Sequence, residues 1–208
     1  MLQTESEFPQ SVYSGKPTAG RAASCAAPLS LNVGGHMTNR CRAVQEALER
    51  LNVGLFLESF NHRYHSNFAV VEEPNPPEAI IRSGRTTRWV EVTTAFWNRA
   101  FAIDVYSYAT EGEVHRPIGD GVFVDPDVKF TANFVSVIKQ KLEKATYAKF
   151  KDRYGPGYLV VSVQYPLFGE HTMRYIAKAW SSLTVNDQGC FRSVYVAHRV
   201  FNGYRVFL

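Results

Sequence analysis

The stretch YLVVSVQY, residues 158–165, constrains this chain more than any other segment. It is a nearly continuous apolar run of strand length, entered through the helix-stopping YGPG of residues 154–157. A strand with one wet face alternates apolar and polar residues. A run without that alternation predicts a strand covered on both faces, as in a parallel or mixed sheet lying between helices. With 208 residues there is room for one such domain plus decoration, or two small ones, at about 100–200 residues per domain. Hydrophobic residues at 45% and charged residues at 20% exclude global disorder. No stretch approaches the ~18 apolar residues of a membrane-spanning helix, so that reading is excluded.

The rest of the chain supplies elements that fit such a sheet. TNRCRAVQEALERLN places Val44, Leu48 and Leu51 on one helical face, with Thr38 or Asn39 as N-cap, and Asn52-Val53-Gly54 ends the predicted helix. LFLESFNHRYHSNFAVV then reads as two strands around a polar bend near residues 62–67. EAIIRS from Glu78 and TRWVEVTTAF from Thr87 are further strands, the second with Val90 and Val92 on one face and Trp89, Glu91 and Thr93 on the other. Between residues 96 and 128 the pattern predicts an insertion: a short helix near Trp97–Phe101, then a loop carrying Pro117, Gly119, Gly121 and Pro126. TANFVSVIKQKLEKATYAKFKDRY reads as one long helix through Phe134, Val137 or Ile138, Leu142 and Ala145. A helix over EHTMRYIAKAWSSL and strands at FRSVYVAHRV and GYRVFL complete the order. The expectation is an α/β fold with a mixed central sheet flanked by helices, built from residues 38–208 as one domain. Residues 1–37, rich in Ala, Ser, Gly and Pro without periodicity, read as a tail or upstream extension.

Charge and cysteine content narrow the setting only slightly. Lys plus Arg exceed Asp plus Glu by 23 − 19 = +4, which permits a nucleic-acid partner without indicating one. Cys25, Cys41 and Cys190 are odd in number and far apart, so neither a CxxC clamp nor a disulfide framework is expected, and a reducing, cytoplasmic setting fits. A homodimer is compatible with the sequence but nothing in it requires one.

Two acidic residues stand out chemically. Glu78 opens one strand and Glu91 lies in the middle of the next, between Val90 and Val92. A carboxylate in a buried strand is costly to desolvate unless it is paired or binds a cation. If the strands are neighbours, both carboxylates can converge on one divalent ion; Mg²⁺ takes one or two carboxylates plus waters and substrate phosphate. The alternative is that Glu91 faces solvent on a one-sided sheet, or pairs with Arg82, Arg85 or Arg88. The long helix carries Lys139, Lys141, Lys144, Lys149 and Lys151, either as a solvated face or as phosphate contacts beside a metal. His62 and His65 at i, i+3 do not make a zinc pair in a strand or bend. Asp125 and Asp127 in VDPD read as turn residues, and Gly155-Pro156-Gly157 as a helix stop. Arg–aromatic neighbours such as Arg88-Trp89 suit base stacking or ordinary core packing.

The succession of a helix with an inward Glu, Pro77-Glu78 entering a strand, WVEVT in the next strand, a Lys-rich helix and YGPGYLVVSV resembles the PD-(D/E)XK nuclease-like superfamily, over roughly residues 40–165. The resemblance implies a restriction-endonuclease-like αβββαβ core and Mg²⁺-dependent phosphodiester hydrolysis. It implies Glu78 and Glu91 as metal ligands, with Glu46 as an additional helix ligand and Glu49 as the second choice. Lys139, Lys149, Arg85 and Arg88 would then meet nucleic acid. Two departures are visible: Glu replaces the usual Asp at position 78, and Thr93 stands where the triplet lysine belongs. Some members of that family recover the lysine from the following helix, which makes Lys141 or Lys144 the catalytic candidate; others keep the fold without catalysis, leaving a module that binds nucleic acid or a protein.

Overall fold

The computed structural model describes residues 39–119, 124–182, 189–200 and 203–207. The expected tail over residues 1–37, the N-cap Thr38 and the loop glycine Gly121 lie outside the described residues.

Strand β2 (Ala79–Ser83) turns back into β3 (Thr86–Phe96) through Gly84 and Arg85. Gly84 takes φ +56°, a left-handed conformation that favours glycine. Strand β1 (Ala69–Glu72) pairs with the free side of β2, which makes an antiparallel meander. β4 (Gly157–Gln164) then lies parallel to β3 on one side and to β5 (Phe191–Val200) on the other, and β6 (Gly203–Phe207) closes the far edge antiparallel to β5. The six-stranded sheet thus runs β1-β2-β3-β4-β5-β6. The fold is mixed α/β, as expected, and the apolar run is its central strand, buried from Gly157 to Val163.

Parallel neighbours require crossovers, and these supply the helices on the two faces. Helix α1 (Asn39–Tyr64) covers one face, with Val53, Phe56 and Leu57 packed on Ala79, Ile81, Val90, Val92 and Val160. α3 (Pro126–Leu142) and α5 (Glu170–Ser182) cover the other, where Phe130, Phe134, Ile138 and Ile176 meet Ile80, Trp89, Leu159 and Val161. The alternation anticipated in β3 holds: Val90 and Val92 belong to the α1 side, Trp89 to the α3 side.

Four expectations are corrected. The first strand of the expected pair is instead a continuation of α1 to Tyr64, while the second is β1; Val53, Phe56, Leu57 and Phe60 keep helical spacing against the sheet, and Gly54 is exposed with nothing around its Cβ position. Burying that face outweighs the ~1 kcal/mol propensity cost of one glycine. Leu51, expected on the apolar face, is consequently 52% exposed. Second, the insertion contains a full helix, α2 (Arg99–Ala109), started by the Asn98 side chain accepting from Phe101 N–H. Third, the long lysine-bearing helix is not continuous. It begins earlier, with Pro126 in the first turn where its missing N–H costs nothing, and breaks after Leu142 into a 3-10 turn (Ala145–Tyr147) and a short α4 (Ala148–Tyr154). Apolar positions 134, 138 and 142 define one phase; Tyr147, Phe150 and Tyr154 define another, and the break lets both face the core. Among the cysteines, Cys41 is disulfide-bonded and Cys190 is a free thiol, which corrects the expectation of three unpaired thiols.

Gly157 marks the tightest packing near these joints. A Cβ there would lie 2.3 Å from Trp89 Cδ2 and Cε2, and Trp89 is fully buried. Gly157→Ala is expected to destabilise the chain by about 1–3 kcal/mol through overpacking. Chemical denaturation measures this, and an unchanged midpoint would show that the indole has room to move.

Candidate functional site

Register sets Glu78 and Glu91 side by side. The β2–β3 pairing of Ala79 with Val90 and Ile80 with Trp89, continued by one residue, puts Glu78 opposite Glu91 on the face shared with Trp89. Glu78 Oε2 accepts the Val92 backbone N–H at 3.0 Å, which fixes the first carboxyl to the second strand. Glu91 is 1% exposed. The solvent-facing alternative for this residue is therefore excluded.

Two donors converge on Glu91 Oε1. The Lys141 ammonium, from the last turn of α3, forms an ion pair with it. The Tyr147 hydroxyl, from the 3-10 turn, donates to the same oxygen at 2.5 Å. Among the described residues no N–H or O–H donor reaches Oε2. Glu78 is near enough to share a hydrogen bond with Glu91, and burial, then the Glu91 charge, pushes its carboxyl up to about 9. At neutral pH Glu78 thus carries the proton that the two carboxyls share. The Tyr147 phenol is held far above its ordinary range, by burial first and by the Glu91 charge second, so it remains a donor.

The structure brings together Glu78, Glu91 and Lys141, with Glu49 nearby, and leaves Lys144 and Glu46 apart. Lys144 extends over the Tyr147 ring, 5.6 Å from its centroid, rather than to either carboxylate. Glu46, the expected helix ligand, instead takes Arg42 Nε at 3.0 Å along α1. The helix acid on the site side is Glu49, one turn on: burial raises its pKa, the Gln45 amide at 2.8 Å opposes this, and the charges of both Lys141 and Glu91 act on it. Of the arginines proposed as alternative partners for Glu91, Arg82 and Arg85 are exposed, and Arg88 donates to the Thr87 and Tyr154 carbonyls at 2.9 and 3.2 Å. Arg88 therefore ties β3 to the end of α4. Lys139 is exposed, as is Lys149, whose amine lies 4.9 Å from the Phe150 ring centroid. His62 and His65 are exposed at the end of α1. Asp127 accepts the Thr172 hydroxyl at 2.5 Å and pairs with His171 at 3.1 Å, joining α3 to α5. Among the described residues no group of three or more His, Cys, Asp or Glu has a metal-holding arrangement.

Tyr147 is the site residue that sequence reasoning missed. Its signal was the phase shift from 134/138/142 to 147/150/154, which a single continuous helix hides. Compared with known proteins, the chain matches no family model, no curated protein and no solved structure.

The raised Glu78 carboxyl has a thermodynamic consequence. Its ordinary pKa is 4.5, so from there to about 9 the folded chain holds a proton that the unfolded chain has released. Stability at this site is fully present below the lower value and is lost as pH rises through the window. Glu78→Gln removes the titration, so the variant gains on the wild type steadily from about pH 5 to 9. Urea denaturation at stepped pH reads this directly; parallel stability curves would refute the protonated Glu78.

Proposed function

We propose that this chain is a Mg²⁺-dependent phosphodiesterase of the nuclease type on a PD-(D/E)XK-like scaffold, with Lys141 replacing the lysine that Thr93 lacks. The observation that carries the reading is the Lys141 ammonium on the Glu91 carboxylate, delivered from the helix that precedes the central strand. The order α1-β1-β2-β3, then α3 and β4, with Glu78 and Glu91 at adjacent register positions, supports it.

The residues fit a hard cation. Two neighbouring carboxyls, one with a buried oxygen that has no donor, are what Mg²⁺ uses when waters and substrate phosphate complete its shell. Glu78 and Glu91 would hold it, with Glu49 close enough to add charge. When bound, Mg²⁺ supplies Lewis acidity toward a phosphoryl oxygen and lowers the pKa of a bound water. Glu78 would have to give up its proton for the pair to hold the ion. Lys141, 23% exposed at its side chain, has the reach to leave Glu91 and neutralise charge developing on phosphate. Lys139, Lys149 and Arg85 are exposed cations available to a nucleic-acid backbone. Among the described residues no helix is long and apolar enough to cross a membrane.

Thr93 favours a second reading, a module that retains the scaffold and binds nucleic acid without cleaving it. Calorimetric titration with Mg²⁺, paired with cleavage assays on single- and double-stranded DNA, separates the two. The enzyme reading expects Mg²⁺ heat and cleavage, both abolished by Glu91→Ala, and a rate lowered about 10²–10³-fold by Lys141→Ala. Salt-dependent DNA binding with no cleavage at any Mg²⁺ concentration would establish the module instead.

A further inference from the structure

Glu91 Oε1 has two donors of very different mobility. Lys141 reaches it on a four-carbon stem from the end of α3 and remains 23% exposed. Tyr147 is fully buried, stacked on Trp89 at 5.5 Å and 25°, and set edge-on to Phe191 at 5.2 Å. Trp89 is in turn pinned by its indole N–H to the Gly155 carbonyl at 2.9 Å, and its ring fills the space that a Cβ on Gly157 would need. The phenol therefore cannot swing away without disturbing the packing of β3 on β4.

We propose that Tyr147 is the fixed positioning residue of this site: it holds Glu91 Oε1 in place, so that Lys141 is the partner free to move to substrate. This rests on the metal-site reading above. The physical need is clear from what each loss would leave. If Lys141 departs, Oε1 keeps the Tyr147 hydrogen bond and the carboxylate stays oriented. If Tyr147 were absent, departure of Lys141 would leave the buried carboxylate with no donor on Oε1 and only the proton shared with Glu78 to orient it. Donors behind a metal-binding carboxylate fix its direction and are felt in metal affinity.

The test compares Tyr147→Phe and Lys141→Met in the full chain by Mg²⁺ calorimetry, with urea denaturation confirming that each variant folds. Phenylalanine retains the stack on Trp89 and removes only the hydroxyl. The expected result is Mg²⁺ affinity weakened about 10-fold or more in Tyr147→Phe, and unchanged or tighter in Lys141→Met, which loses a competing cation. Wild-type affinity in a folded Tyr147→Phe variant overturns the proposal, as does loss of Mg²⁺ binding in Lys141→Met, which would make the lysine the permanent partner. Should Tyr147→Phe fail to fold, the Lys141→Met result decides alone. A wild-type chain that binds no Mg²⁺ defeats the metal reading and this inference together, an outcome distinct from the other two.

Discussion

The ionic carboxylate of Glu91, buried to 1% exposure in the third strand of the sheet, is the interaction on which the surrounding architecture depends. Placing an uncompensated charge there costs several kcal/mol after relaxation. Two donors on one oxygen and a protonated neighbour reduce that cost, and each comes from a different element: α3, the 3-10 turn and the entry to β2. Breaking such a buried pair by removing one partner is far more damaging than replacing both with apolar groups. Only an apolar replacement of Glu91 together with its polar partners would spare the fold that cost.

This requirement also accounts for the interruption after Leu142. A helix continued straight from α3 would keep the 134/138/142 phase and could not place position 147 against Trp89. Ending the helix lets Lys141 approach Glu91 from the last turn while Tyr147 enters through the 3-10 turn, so one oxygen is met by two groups six residues apart. The aromatic packing behind them converts position into rigidity. Trp89 lies two residues from Glu91 on the same face of β3, and it is the platform for the tyrosine that bonds that glutamate.

Legibility in the sequence followed the strength of the local pattern. The uninterrupted run 158–165 and the alternation about Val90 and Val92 fix the face on which Glu91 lies, because a period of two admits only two answers. The same pattern made Glu78 and Glu91 visible as a pair. Helical phase was harder to read. Glu46 and Glu49 are both acids on α1, and only the buried face defined by Val53, Phe56 and Leu57, of which the last two lie beyond the glycine taken as a stop, distinguishes the one that turns toward the site. The phase shift about Leu142 is local, but what makes Tyr147 part of the site is its contact with Trp89, Phe191 and Glu91, far away in sequence.

Thr93 gains a physical meaning from this arrangement. It is half-buried on the same strand face as Glu91, two residues on, and is paired in register with Val161 of the central strand. A lysine at that position would have to extract its amine from between packed strands and a helix layer, and it would compete with Lys141 for one carboxylate. Two ammonium groups within reach of Glu91 would also repel each other, in a medium where charges are poorly screened. A small hydroxyl at 93 and a cation arriving from α3 are therefore complementary choices: once Lys141 occupies Glu91, threonine is what the strand can accommodate. In the nuclease reading, the departure at this position is a relocation of the positive charge across the fold, with Tyr147 supplying the anchorage that makes a mobile lysine workable.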